Sequence, residues 1–251
     1  MLTRIERSLV VGILFAALVL LAGATAHAST LNVTYDGVSG SNPTLNINDA
    51  ALGSVTGYID PYNGNIGPQS VLLWCVDPDH DAPPAGTTWT VNVATPGNLG
   101  SMTTTSQVIN NGLSASAANT LYGEMAALIM LMDNPSNSAL TDQEIQGAIW
   151  QLSDGFNASN QPYLTFPSPP SVPSGTFQGA VTGYETWAAN HVAASGFEIL
   201  TDVNEKSAGR GAYQEYIVLT PEPSTLLLMG LGLMALFCHS RRKGSLAPVL
   251  S

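Results

Sequence analysis

Two apolar segments near the ends of the chain confine what can fold as a globular body to the residues between them. Arg4 and Arg7 precede an unbroken apolar run from Leu9 to Ala22, and small residues then lead to Ala26-His27-Ala28. A basic start, an apolar stretch and a small-x-small site make a secretory signal, with signal-peptidase cleavage expected after Ala28. At the other end, Pro221-Glu222-Pro223-Ser224-Thr225 precedes an apolar core from Leu226 to Cys238. That core has 13 residues, short of the roughly 20 that span a bilayer comfortably. Arg241, Arg242 and Lys243 beyond it act as a cytoplasmic basic stop under the positive-inside rule. The expected organisation is a signal peptide at 1–28, an extracytoplasmic domain at 29–220, a transmembrane anchor segment at 221–243 and a short cytoplasmic tail at 244–251.

The order of Pro221-Glu222-Pro223, a short Gly-interrupted apolar helix and an Arg-rich end resembles the PEP-CTERM sorting signal of Gram-negative bacteria. The resemblance implies that a membrane-embedded exosortase recognises Pro221-Glu222-Pro223 and cleaves near it, releasing or transferring the ectodomain. It implies a protein anchored in the inner membrane facing the periplasm, then delivered to the cell surface or extracellular matrix. One departure is the tail from Gly244 to Ser251, which runs past the basic cluster where family members usually stop.

Between the two segments lie 192 residues, Ser29 to Thr220, enough for one domain with a real core or two small ones. This span holds two basic residues, Lys206 and Arg210, against sixteen acidic ones, a formal charge of −14. Such a surface repels phosphate backbones and excludes nucleic-acid binding, whereas it suits divalent cations, cationic polysaccharide or amine-bearing partners. Of the two cysteines, Cys238 sits in the C-terminal apolar segment, so Cys75 is alone in the exported domain. It has no intramolecular partner for a disulfide in a compartment that favours one.

The first half reads as strands. Residues 31–35, 44–48 and 54–59 alternate apolar and polar positions, with Gly, Asn and Pro turns between them. Ser70 to Val76 is a continuous apolar run, expected to be a strand buried on both faces. Residues 87–93 alternate again, with Trp89, Val91 and Val93 on one face. The period then changes. Leu121, Met125, Leu128, Ile129 and Met132 share one helical stripe over 117–132, which breaks at Asn134-Pro135. Thr141-Asp142-Gln143-Glu144 is expected to be a capping box for a second helix, with Ile145, Ile149 and Leu152 inward and Gly155 ending it. Residues 157–175 read as a Pro/Ser loop, 177–194 as a third helix, and 197–203 and 212–219 as closing strands. The expected class is α+β: a β-rich sandwich or barrel with a helical insertion.

Trp74-Cys75-Val76 at a strand end and Ile145-Gln146 to Ile149-Trp150 on a helix form a notable pair. An aromatic-Cys-aliphatic motif followed by aliphatic-Gln-x-x-aliphatic-Trp resembles the thioester domains of bacterial surface adhesins. The likeness runs from Gly53 to Asp154 and includes the Tyr122 helix with its Ala126-Ala127 pair. It implies an internal thioester between Cys75 and Gln146 and covalent attachment to an amine-bearing or polysaccharide surface ligand. A base would assist formation, with His80 the first candidate and His191 the second. Read from the residues alone, Cys75 is equally a small buried hydrophobe, and Gln146 a polar residue at the edge of a helix face. A redox or catalytic thiol is a third reading.

Asp77-Pro78-Asp79-His80-Asp81 offers Asp77, Asp79 and Asp81 as Ca²⁺ candidates, but lacks the Gly and distal Glu of an EF-hand loop. A solvated turn is the expectation there, and no cofactor is implied. No nucleophile elbow, H-E-x-x-H, phosphate loop or C-x-x-C is present, so no conventional enzyme is indicated. The functional expectation is an exported envelope or matrix protein. It is either a covalent adhesin through Cys75 and Gln146 or a non-covalent binding module, with an extracellular hydrolase as the remaining alternative.

Overall fold

The computed structural model describes residues 29–38, 44–49, 53–59, 61–99, 113–154, 164–204 and 213–220, together with Gly230, Gly232 and Met234. The expected signal peptide and nearly all of the expected anchor and tail, including Pro221, Glu222, Pro223, Arg241, Arg242 and Lys243, lie outside the described residues. Among the described residues no helix is long and apolar enough to cross a membrane.

In the first half the expected strands form as β1 (Ser29–Val38), β2 (Thr44–Asp49), β3 (Gly53–Tyr58), β5 (Gln69–Cys75) and β6 (Thr88–Ala94), and a further strand, β4 (Tyr62–Ile66), forms where none was expected. Two closing strands, β8 (Phe197–Asp202) and β9 (Tyr216–Leu219), follow the helical middle, and β7 (Leu164–Thr165) is a two-residue addition. Six of them close a barrel in the order β1-β4-β5-β9-β8-β6, every neighbouring pair antiparallel. Closure leaves the barrel no free hydrogen-bonding edge along its paired stretches. A separate three-stranded sheet has the order β3-β2-β7. The architecture is the barrel of the two alternatives, with helices inserted between β6 and β8.

Period-2 side chains fill the barrel. Tyr35 packs on Tyr62 at 5.4 Å between ring centroids, Tyr62 on Tyr216 at 5.8 Å, and Trp89 on Tyr216 at 6.2 Å. Trp89, Val91 and Val93 are all buried, as their alternation requires. A register shift in β1 between Tyr35 and Gly37 accompanies a left-handed φ of 115° at Gly37, a bulge conformation that glycine adopts without strain. The expectation that Ser70 to Val76 is buried on both faces is corrected. Only Leu73 to Val76 is buried, and Leu72 is 41% exposed. Leu73, paired with Tyr62, points into the barrel, whereas Leu72 turns to the opposite, outer face.

The helices are α1 (Ala115–Met132), α2 (Ala139–Asp154) and α3 (Thr176–Ala188). Ser114 caps α1 by accepting from Ala117 N at 3.2 Å, and Asn137 Nδ2 closes its end by donating to Leu131 O at 3.0 Å. The start of α2 differs from the expected box. Ser138 Oγ accepts from Thr141 N at 3.1 Å, so the cap lies three residues before Thr141. The third helix ends at Ala188, six residues before its expected limit. All three helices pack on one another, α2 against β2 and β7, and α1 against β9.

Candidate functional site

Cys75 is the last residue of β5. Its register partner is Tyr216, and Leu73 two residues earlier faces Tyr62, so the sulfur shares the tyrosine-lined face of the sheet. Beyond Cys75 the chain leaves the strand but stays tied to β9 through Val76 N, which donates to Glu215 O at 3.1 Å. Cys75 is 3% exposed and Gln146 1%. Gln146 lies on the buried side of α2, where Ile145, Ala148 and Ile149 supply the apolar contacts. Its Nε2 donates to the Cys75 carbonyl at 3.0 Å, joining residues 71 positions apart. The two expected site residues are therefore neighbours.

Trp74 and Trp150 are both buried, Trp74 on the opposite face of β5 and Trp150 near the Cys75 sulfur. The Trp150 indole N–H makes no hydrogen bond of ordinary geometry, so it acts on the sulfur only as a nearby dipole. The thiol itself donates to Asp77 O at 3.3 Å. Burial, and then the Asp77 charge, push the Cys75 thiol up to about 12, against the smaller pull of the Asp77 backbone and the Trp150 indole. Cys75 is thus a protonated thiol at neutral pH and not a thiolate nucleophile.

Asp77 is a junction. Its carboxylate accepts from Asp79 N at 2.9 Å, from Glu215 N at 3.4 Å and from His80 Nδ1 at 2.6 Å. A carboxylate only accepts, so His80 carries a proton on Nδ1 and is oriented by Asp77. Burial works against the imidazolium, but the hydrogen bond and charge of Asp77, with the charges of Asp79 and Glu215, raise the His80 pKa overall. Among the described residues His80 reaches Cys75 only through Asp77: the Asp77 carbonyl holds the thiol and its carboxylate holds the imidazole. His191 is corrected as a candidate base. It is exposed and stacked on Trp187 at 4.1 Å, with Nδ1 bonded to Trp187 O at 2.7 Å, whereas the thiol is buried.

The Ca²⁺ candidates Asp77, Asp79 and Asp81 do not converge. Asp77 turns to His80, and Asp81 is exposed and bridges its backbone to Tyr213. Asp79 turns instead to Asp49 and Asp154, which lie far from it in sequence. Period-based reading passed over both. The available signal was Asp154 itself, an acidic residue in the last turn of a helix, where the dipole opposes negative charge.

Residues 219–243 match the PEP-CTERM protein-sorting motif. The chain is an exported protein sorted to the envelope, and an exosortase is the partner that processes it. The match covers the tail alone and does not reach Cys75 or Gln146, and no match supports the thioester-domain likeness. No curated protein matches the chain.

Proposed function

We propose that the sorted ectodomain is a covalent adhesin of the cell surface or extracellular matrix, used once per molecule rather than as a turnover enzyme. The observation that carries this reading is the hydrogen bond from Gln146 Nε2 to the Cys75 carbonyl, made between two buried residues with Trp150 beside the sulfur. The Cys75 sulfur bonds to Cδ of Gln146, the Cδ–Nε2 bond breaks, and the thiol proton leaves on ammonia. A partner amine then attacks Cδ, the C–S bond breaks, and the amine's proton returns to sulfur, leaving an amide link to Gln146. A thiol pushed up to about 12 is ionised in only about one molecule in 10⁵ at pH 7. Condensation therefore belongs to folding, before the end of β5 closes over the sulfur. The signal peptide and the cut near Pro221-Glu222-Pro223 deliver the domain, and the inner-membrane stage is transient.

The test is exposure of the folded full-length protein to methylamine, followed by peptide mapping. An adduct on Gln146, with Cys75 alkylatable once the treated protein is unfolded, is expected; a folded protein that takes up no methylamine overturns the reading. A second reading, a non-covalent matrix module, draws on the thiol's own bond to Asp77 O, which is how an inert buried cysteine is satisfied.

A further inference from the structure

We infer that Asp49, Asp79 and Asp154 form a Ca²⁺ site that clamps the loop after Cys75 to the end of the helix carrying Gln146. The three residues come from separate parts of the fold: Asp49 ends β2, Asp79 lies in the loop after β5, and Asp154 is the last residue of α2. One carboxylate oxygen from each lies within 4.8 Å of the others. Two oxygens on opposite sides of a Ca²⁺, each about 2.4 Å from it, are about 4.8 Å apart, so the cluster has the dimensions of one coordination sphere.

An acidic cluster alone would not establish a site. Here Asp154 is 8% exposed, and its Oδ2 is buried with no hydrogen-bond partner. A buried carboxylate oxygen without a donor costs free energy that folding must recover elsewhere. Its position compounds the cost, because a carboxylate at a helix C-terminus faces the negative end of the dipole. Asp49, also buried, and Asp79 add like charge at short range. Consistent with this crowding, burial and then the Asp79 and Asp49 charges push the Asp154 carboxyl up to about 8. A divalent cation relieves all of these terms at once. Three hard oxygens from carboxylates suit Ca²⁺, which completes its shell with carbonyls or water. Three carboxylates place the site at the weak, extracellular end of the Ca²⁺ range, with a dissociation constant on the order of 10⁻⁴–10⁻³ M.

The inference does not depend on the thioester. It is tested by calorimetry and thermal unfolding of the full-length protein, stripped with chelator and titrated with CaCl₂. Saturable one-to-one binding and a rise in Tm are expected, and both should survive Cys75→Ala. Asp154→Asn should abolish the binding and raise the Tm of the stripped protein, because it removes a buried, crowded carboxyl. Asp49→Asn should abolish the binding as well, and serves if the first variant does not fold. Absence of saturable binding in the unaltered protein overturns the site; so does binding that Asp154→Asn or Asp49→Asn leaves intact. A stripped protein that gains stability from Asp154→Asn but ignores Ca²⁺ would identify a proton-sharing carboxyl cluster instead.

Discussion

Gly57 and Trp150 touch so closely that no larger residue fits at position 57. A Cβ built on Gly57 would lie 2.5 Å from Cη2 of Trp150 and within 3.2 Å of two further ring carbons. Gly57 faces Leu45 in the β2–β3 pair, so the flat indole is pressed onto the small sheet at the point where the strand offers no side chain. Gly57→Ala should push Trp150 away from Cys75 and cost about 1–3 kcal/mol. Urea unfolding reads the cost, and a shift in native tryptophan emission reads the displaced ring.

Cys75 should be chemically silent while the fold is intact. In Gln146→Ala, which has no carboxamide to condense with, iodoacetamide at pH 8 should label Cys75 only after denaturation. A thiol held near 12 and 3% exposed offers neither thiolate nor access. Labelling of the folded variant at the rate of a free thiol would contradict this placement.

Asp77 holds three donors at once, so its removal should be felt more than that of a surface carboxylate. Asp77→Ala strands the His80 imidazole and the Asp79 and Glu215 amides in buried surroundings. Loss of one partner from a buried ion pair costs about 3–5 kcal/mol, and denaturant unfolding at neutral pH should show a loss of that size.

Glu185 on α3 gives a pH signature separate from the site. Burial raises its carboxyl from 4.5 to about 7, and its Oε1 has no hydrogen-bond partner. Between those two values the folded protein holds the proton more tightly than the unfolded chain. Stability contributed by this group is therefore present below pH 4.5 and lost as pH rises through about 7. Glu185→Gln should flatten that slope in Tm against pH, with the wild-type slope unchanged if the group is solvated.

Local pattern carried most of the strands and the two principal helices, because each expresses a period in contiguous residues; Cys75 and Gln146 were singled out by a resemblance, and the structure places them side by side. What local pattern missed depends on partners distant in sequence. Tyr62 to Ile66 carries two asparagines and a glycine, so β4 owes its existence to pairing with β1 and β5 rather than to propensity. The exposed half of β5 reflects which face of the barrel stays uncovered, which the apolar run itself does not encode. The Asp49–Asp79–Asp154 cluster joins three elements that no spacing rule connects. Asp77-Pro78-Asp79-His80-Asp81 looked like one group of ligands, yet a turn sends alternate carboxylates in different directions. The sorting tail was legible because three elements must occur there in a fixed order, and residues 219–243 match that motif.

The most direct measurement is the intact mass of the purified full-length protein beside its Cys75→Ala variant, prepared identically so that terminal processing cancels. A wild-type mass short by one ammonia, with the variant at full mass and methylamine bringing the wild type to one methylene above full mass, is what the Cys75–Gln146 bond predicts. A wild-type protein at full mass, with a Cys75 thiol that alkylates once unfolded, would contradict it.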